Sequence, residues 1–177
     1  MKCAIELVFD EESQNKLNNL RKLLDDNGVH NEAVPTNHVS IADVETEDID
    51  NLKRIVKEFA SETKQFDITL CTAGSFMTSE NVLFYSPTMT EDLLKSNEKI
   101  TEKLTLNNFE CNKYYTKNNW LPHCTLAIRL SDDELKKGWE LLKNNNILPL
   151  RVRCKKVDIL DYSNKPNYNQ VAIYDLN

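Results

Sequence analysis

The chain has 177 residues, 40% hydrophobic and 28% charged, long enough for one well-buried domain and too apolar for a disordered segment. Its three glycines, Gly28, Gly74 and Gly138, lie far apart, so no glycine-rich loop can cradle a pyrophosphate. A net charge of −6 repels a long phosphate backbone, so contact with nucleic acid is expected to be local.

Residues 3–9 alternate as a strand, and Leu17, Leu20, Leu23 and Leu24 then recur at helical spacing until Gly28 offers a stop. A second short strand is expected over 37–43, followed by a helix with Ile49, Leu52, Ile55, Val56 and Phe59 on one face. Residues 66–73 and 81–86 read as a hairpin turning around Gly74, Ser75 and Ser79. A capping box from Thr88 to Glu91 opens the next helix, with Leu93, Leu94, Ile100 and Leu104 as its inner positions, and a polar stretch from Asn107 to Asn119 ends it. Residues 121–129 are strand-like, and a second capping box, Ser131 to Glu134, opens a helix carrying Leu135, Trp139 and Leu142. Strands near 150–160 and 170–175 close the chain.

The order helix, strand, helix, strand, strand thus occurs twice, with an offset of about 85 residues, as an internal duplication would give. No linker separates the halves. The expected architecture is α+β: one bilobal domain over residues 1–177, with two antiparallel sheets flanked by helices around a central cleft.

Two corresponding strands carry the chemistry. They read His38-Val39-Ser40-Ile41-Ala42 and His123-Cys124-Thr125-Leu126-Ala127. Side chains alternate along a strand, so each histidine shares a face with the hydroxyl two positions on. Val39, Ile41, Cys124 and Leu126 turn the other way, and the two alanines leave room above the strand.

The chain resembles the two-histidine (2H) phosphoesterases, the superfamily of 2'-5' RNA ligase-like proteins and cyclic nucleotide phosphodiesterases. The resemblance rests on the paired HxS/T motifs, on Trp120-Leu121-Pro122-His123-Cys124-Thr125-Leu126-Ala127, similar to that family's WxPHxTLA stretch, and on Gly74-Ser75-Phe76, similar to its G-x-F turn. Ser40 stands where many members have threonine, and Asn37 rather than proline precedes His38. The resemblance implies that His38 and His123 act as a general acid–base pair on a 2',3'-cyclic phosphate or a 2'-5' linkage. One imidazole takes a proton from water while the other gives one to the departing ribose oxygen. Which does which stays open. Run in reverse, the same pair would join a cyclic phosphate end to a hydroxyl. Ser40 and Thr125 would donate to the non-bridging oxygens, each worth ~2 to 4 kcal/mol in the transition state.

Neither metal nor cofactor is expected, since His38, His123 and Asp43 form no recognised ligand set. Arg129 shares the parity of His123 and Thr125, so it could reach a phosphate or pair with a surface acid. Phe76, Tyr114, Tyr115 and Trp120 are candidates to stack a base. Cys124 should lie in the core, opposite His123, and His30 is read as a solvated loop residue. Five cysteines without a CxxC pair suggest reduced, structural thiols. With no apolar run of membrane-spanning length, the expectation is a cytoplasmic monomer that takes a small nucleotide or RNA terminus and neither membrane nor long duplex. The competing reading is a binding module that holds the same ligand in the same cleft without turnover.

Overall fold

The computed structural model describes residues 1–30, 32, 36–76, 78 and 80–177. Among them are eleven principal elements: β1 (Lys2–Phe9), α1 (Glu11–Asp26), β2 (His38–Glu45), α2 (Ile49–Ser61), β3 (Phe66–Phe76), β4 (Val82–Pro87), α3 (Glu91–Leu106), β5 (Cys124–Ala127), α4 (Asp132–Asn144), β6 (Leu150–Asn164) and β7 (Asn167–Asp175). A 3-10 turn at Lys113–Tyr115 interrupts the polar stretch before β5. None of the helices is long and apolar enough to cross a membrane.

The fold is α+β and antiparallel, as the hydrophobic patterning predicts. The two expected sheets are continuous. Strand order is β2-β1-β6-β3-β4-β5, and the 15-residue β6 joins the lobes. One edge of β6 pairs with β1; the other pairs first with β3 and then with β7. One trio, β2-β1-β6, therefore holds His38, and the other, β3-β4-β5, leads to His123.

Local signals explain most boundaries. Asp10 caps α1 by accepting from the Ser13 N–H at 3.0 Å, and Gly28, at φ +74°, ends that helix in the left-handed conformation glycine tolerates best. Both halves of the Ser131–Glu134 capping box are formed. The cap of α3 differs from expectation. Thr90 holds that position, accepting from the Leu93 N–H, while the Thr88 N–H extends the sheet by donating to the Thr69 carbonyl. Leu93, Ile100 and Leu104 are buried, but Leu94 and Trp139 are exposed rather than inward. β5 is shorter than read, because Leu121 and Pro122 precede it outside the ladder.

Gly74-Ser75-Phe76 is strand rather than turn. Gly74 pairs with Phe84 inside the β3–β4 ladder, and a Cβ at Gly74 would fall 2.5 Å from the Phe84 ring. The ring fills the space the glycine leaves, which is why a glycine tolerates strand geometry here. Ser79, part of the expected turn, lies outside the described residues.

Candidate active site

A cavity of about 250 Å³ lies where the two lobes meet, lined by His38 and Ser40 from β2, His123 and Thr125 from the second motif, Glu6 from β1 and Tyr115 from the 3-10 turn. A larger groove, about 420 Å³, runs beside α4. It is bounded by Tyr85, Trp139, Leu142 and Leu148 and is lined by no imidazole, whereas the smaller cavity gathers both motif histidines and a buried carboxyl.

The two histidines are presented alike. Each ring donates from Nδ1 to the carbonyl two residues upstream, His38 to Thr36 and His123 to Leu121, both at 2.8 Å. That bond fixes the neutral tautomer and leaves Nε2, on the opposite edge of each ring, as the atom open to a ligand. The anchoring differs. Asn37 is buried and bound to α1: its N–H and side-chain amide both donate to Gln14 Oε1, its amide also reaches Asn18, and its carbonyl accepts from Gln14 Nε2 at 2.7 Å. These side-chain bonds hold what a proline would hold by its ring. Ahead of His123, a proline does stand, with the Pro122 carbonyl accepting from Ser86 Oγ at 2.9 Å.

Both motifs then bulge at equivalent places. The ladder partners of Glu6 and Ile5 are Ser40 and Ala42, and those of Phe84 and Leu83 are Thr125 and Ala127, so Ile41 and Leu126 are the inserted residues. A bulge reverses side-chain parity. Ala42 and Ala127 are consequently buried in the core, contrary to the simple alternation, and Asp43 and Ile128 line the cavity instead.

The floor beneath the two motifs is where the lobes part. From Ser40 the cleft face runs to Glu6 and then Asp158, neighbours across β2, β1 and β6. From Thr125 the equivalent row is Phe84 and then Gly74. Glu6 and Asp158 are buried, and Glu6 Oε2 lies 3.2 Å from His38 Nδ1. Burial pushes Glu6 up to about 8, against the Ser40 hydroxyl, which favours its charged form. Asp158 is pushed up to about 7, by burial first and by the Glu6 charge second, while Gln170, donating at 2.9 Å, opposes. Beneath His123 the surroundings are aromatic. Phe76 meets that ring edge-on, 4.9 Å between centroids at 85°, and Phe84 sits 5.3 Å away.

Both imidazoles are held below their ordinary range, chiefly by burial. For His38 the Thr36 carbonyl and Asp158 push back upward and Arg21 pushes down. For His123 the Leu121 carbonyl pushes up, and the charge of His38 pushes down.

The remaining sequence candidates divide. Tyr115 lines the cavity beside Ser40, its phenol raised to about 12, mainly by burial. Phe76 braces His123 rather than opening to a base. Trp120 is a strut: its indole Nε1 donates to the Ser40 carbonyl at 3.1 Å, tying one motif to the other. Arg129 is not among the lining residues. Its backbone turns left-handed at φ +62°, and its guanidinium pairs with Glu32 at 2.6 Å, the surface alternative. Tyr114 is exposed, and Cys124 is buried on the far side of its strand. The polar stretch after α3 is tied down where it meets the cleft, with Asn112 bonded to Asp43 through both backbone and side chain. Among the described residues no cluster of metal-ligating side chains occurs.

Several lining residues escape the motif search. Tyr162 donates to Asp43 at 2.5 Å, and Lys165 and Tyr168, from the β6–β7 hairpin, form the rim. Glu6 does carry a signal, a single charge inside the apolar run Cys-Ala-Ile-Glu-Leu-Val-Phe, whereas Asp158 lies in a strand that also holds Arg151, Arg153, Lys155, Lys156 and Asp161 and carries none.

A family model of the 2'-5' RNA ligase superfamily matches residues 9–166, a span that includes both histidine strands. The chain belongs to that superfamily. A candidate phosphoesterase of Bacillus licheniformis is 28% identical over 137 residues, 76% of this chain and 75% of its own length. In fold, TT0787 of Thermus thermophilus aligns with TM-score 0.68 at 14% identity, covering 99% of this chain and 98% of that one. LigT of E. coli in its apo form aligns with TM-score 0.66 at 13% identity over 99% and 96%. Membership of the 2'-5' RNA ligase superfamily places the chain among enzymes of phosphodiesterase or ligase type.

Proposed function

We propose that this protein hydrolyses 2',3'-cyclic phosphates or 2'-5' phosphodiester bonds at nucleotide or RNA ends, without a metal, using His38 and His123 as a general acid–base pair. What carries the reading is that two identically oriented imidazoles, each followed by a hydroxyl two residues on, border one cavity. One Nε2 removes a proton as water attacks phosphorus; the other supplies a proton to the ribose oxygen whose bond to phosphorus breaks. Ser40 and Thr125 donate to the non-bridging oxygens as their charge rises. Lys165, the cation lining the cavity among the described residues, favours an anionic ligand at the rim. The solved complex of E. coli LigT with 3'-AMP, a neighbour at TM-score 0.66 and 12% identity, agrees with a nucleotide end as ligand. The same proposal includes an origin of the two lobes in duplicated halves of roughly 85 residues, because histidine, hydroxyl and bulge recur in corresponding strands.

The test is turnover of a panel of 2',3'-cyclic nucleotides, 2'-5' dinucleotides and cyclic-phosphate RNA ends, with chelator present throughout. Hydrolysis of at least one class, undiminished by chelator, is expected. Binding without product across the panel overturns the enzyme reading, and loss of turnover on chelation overturns the metal-free one.

A further inference from the structure

We propose that Glu6 and Asp158 are positioning residues that keep His38 as the proton donor and leave His123 as the proton acceptor, an assignment that rests on the function proposed above. The geometry is asymmetric where the motifs are alike. Glu6 Oε2 stands 3.2 Å from His38 Nδ1, and Asp158 is the ladder partner of Glu6 on the next strand. Neither Glu6 Oε2 nor Asp158 Oδ1 has a hydrogen-bond partner among the described residues, although both are buried. A buried carboxyl oxygen without a donor is costly, and a positive ring beside it relieves that cost. Glu6 and His38 share one proton across this contact, and with the proton on the ring the carboxylate stands opposite the imidazolium and favours it.

His123 has no such neighbour among the described residues. Its Nδ1 is bound to the Leu121 carbonyl and its ring is walled by Phe76 and Phe84, an environment that disfavours a charge. Of the other groups around His38, Arg21 on α1 opposes the imidazolium and Asp43 lines the same cavity but is bound by Tyr162 and Asn112, while Tyr115, Tyr168 and the buried Cys124 are neutral near pH 7 and Lys165 lies at the rim. His123 itself faces His38 across the cleft, so a proton on one ring discourages a proton on the other. A single proton shared between the two therefore resides on His38.

In the forward reaction, His123 takes the proton of the attacking water as the new P–O bond forms. His38 gives its proton to the ribose oxygen as the old P–O bond breaks. One water is consumed, and exchange with solvent returns the proton from His123 to His38. Glu6 and Asp158 touch neither water nor phosphate; they act through His38.

The first experiment needs no substrate. NMR titration of the histidine Cε1–H resonances in the free protein should give His38 the higher midpoint. Glu6→Gln with Asp158→Asn should move His38 toward acid by about one pH unit or more, and leave His123 in place. A higher midpoint for His123 in the wild type, or an unmoved His38 in a folded variant, overturns the proposal. The order in the wild type decides the matter if the double variant does not fold, and the single variants supply the shift.

The second experiment compares a 2',3'-cyclic nucleotide with a nucleoside 4-nitrophenyl phosphodiester, whose phenolate leaves without a proton. His38→Ala should lose about 1000-fold on the first and less than about 10-fold on the second, whereas His123→Ala should lose about 1000-fold on both. The reverse pattern overturns the assignment. In Glu6→Gln the alkaline limb of the pH–rate profile should move toward acid; movement of the acid limb instead counts against it. If the wild type turns over neither substrate, the functional reading fails, and the titration still reports the charge order independently.

Discussion

Two floors lie beneath one cleft. On the β2 side, Ser40, Glu6 and Asp158 form a polar row that ends in two buried carboxyls; on the β5 side, Thr125, Phe84 and Gly74 form a row with one hydroxyl and a ring over a glycine. The histidines, hydroxyls and even the bulges repeat, but the residues under them do not. On the proposed function, the lesson is that groups meeting a phosphate answer to its nearly symmetric geometry, whereas groups tuning protons answer to the direction of transfer, which is not symmetric. The anchors follow the same split, with Asn37 bound to α1 side chains on one side and Pro122 on the other.

The comparison breaks most sharply at the histidines. Replacing either with alanine should lower kcat on a 2',3'-cyclic nucleotide about 1000-fold while leaving far-UV circular dichroism unchanged; a loss confined to one of them would mean that only one half works. Next come the hydroxyls. Ser40→Ala and Thr125→Ala should each cost about 100-fold in kcat, and Thr125→Ser should recover most of it in the same steady-state assay. Equal retention in both alanine variants would remove the phosphate-binding role.

A smaller effect tests the aromatic floor alone. Gly74→Ala drives a methyl into the Phe84 ring and should destabilise the protein by about 1 to 3 kcal/mol in urea unfolding. Adding Phe84→Leu should recover part of that loss, though not the bracing of His123. The smallest test concerns the acidic floor. Glu6 is raised from 4.5 to about 8 on folding, so between those values the unfolded chain has lost a proton that the folded chain keeps, and its contribution to stability declines as pH rises. Glu6→Gln removes this dependence. The difference in Tm between variant and wild type should shift in the variant's favour from pH 5 to pH 8, and a constant difference would show that Glu6 and His38 hold no shared proton in the fold.

Much of this is legible in the sequence. The helical faces, the antiparallel strands and both His-x-Ser/Thr motifs follow from local periodicity, and the apolar ridge of α2 is buried as its spacing requires. What local pattern does not transmit is a change of phase. Ile41 and Leu126 are bulges, so alternation counted from the histidines misplaces Ala42 and Ala127 and misses Asp43. Nor does it transmit pairing between distant strands. Glu6 and Asp158 are 152 positions apart in sequence and adjacent across one ladder step. Trp120 reads as a stacking platform because an aromatic beside a motif gives no hint that its N–H is already committed to Ser40. Arg129 is separated from its phosphate-binding alternative by a left-handed backbone that no count of parity foresees.

The uninterrupted run of β6 sets a mechanical limit. Since this one strand is stitched to β1 along one margin and to β3 and β7 along the other, the lobes cannot swing apart like a clam without tearing a ladder. A ligand of the proposed kind would then be sorted by whether its phosphoryl end slides into an aperture of set width, with adaptation left to the side chains around its mouth.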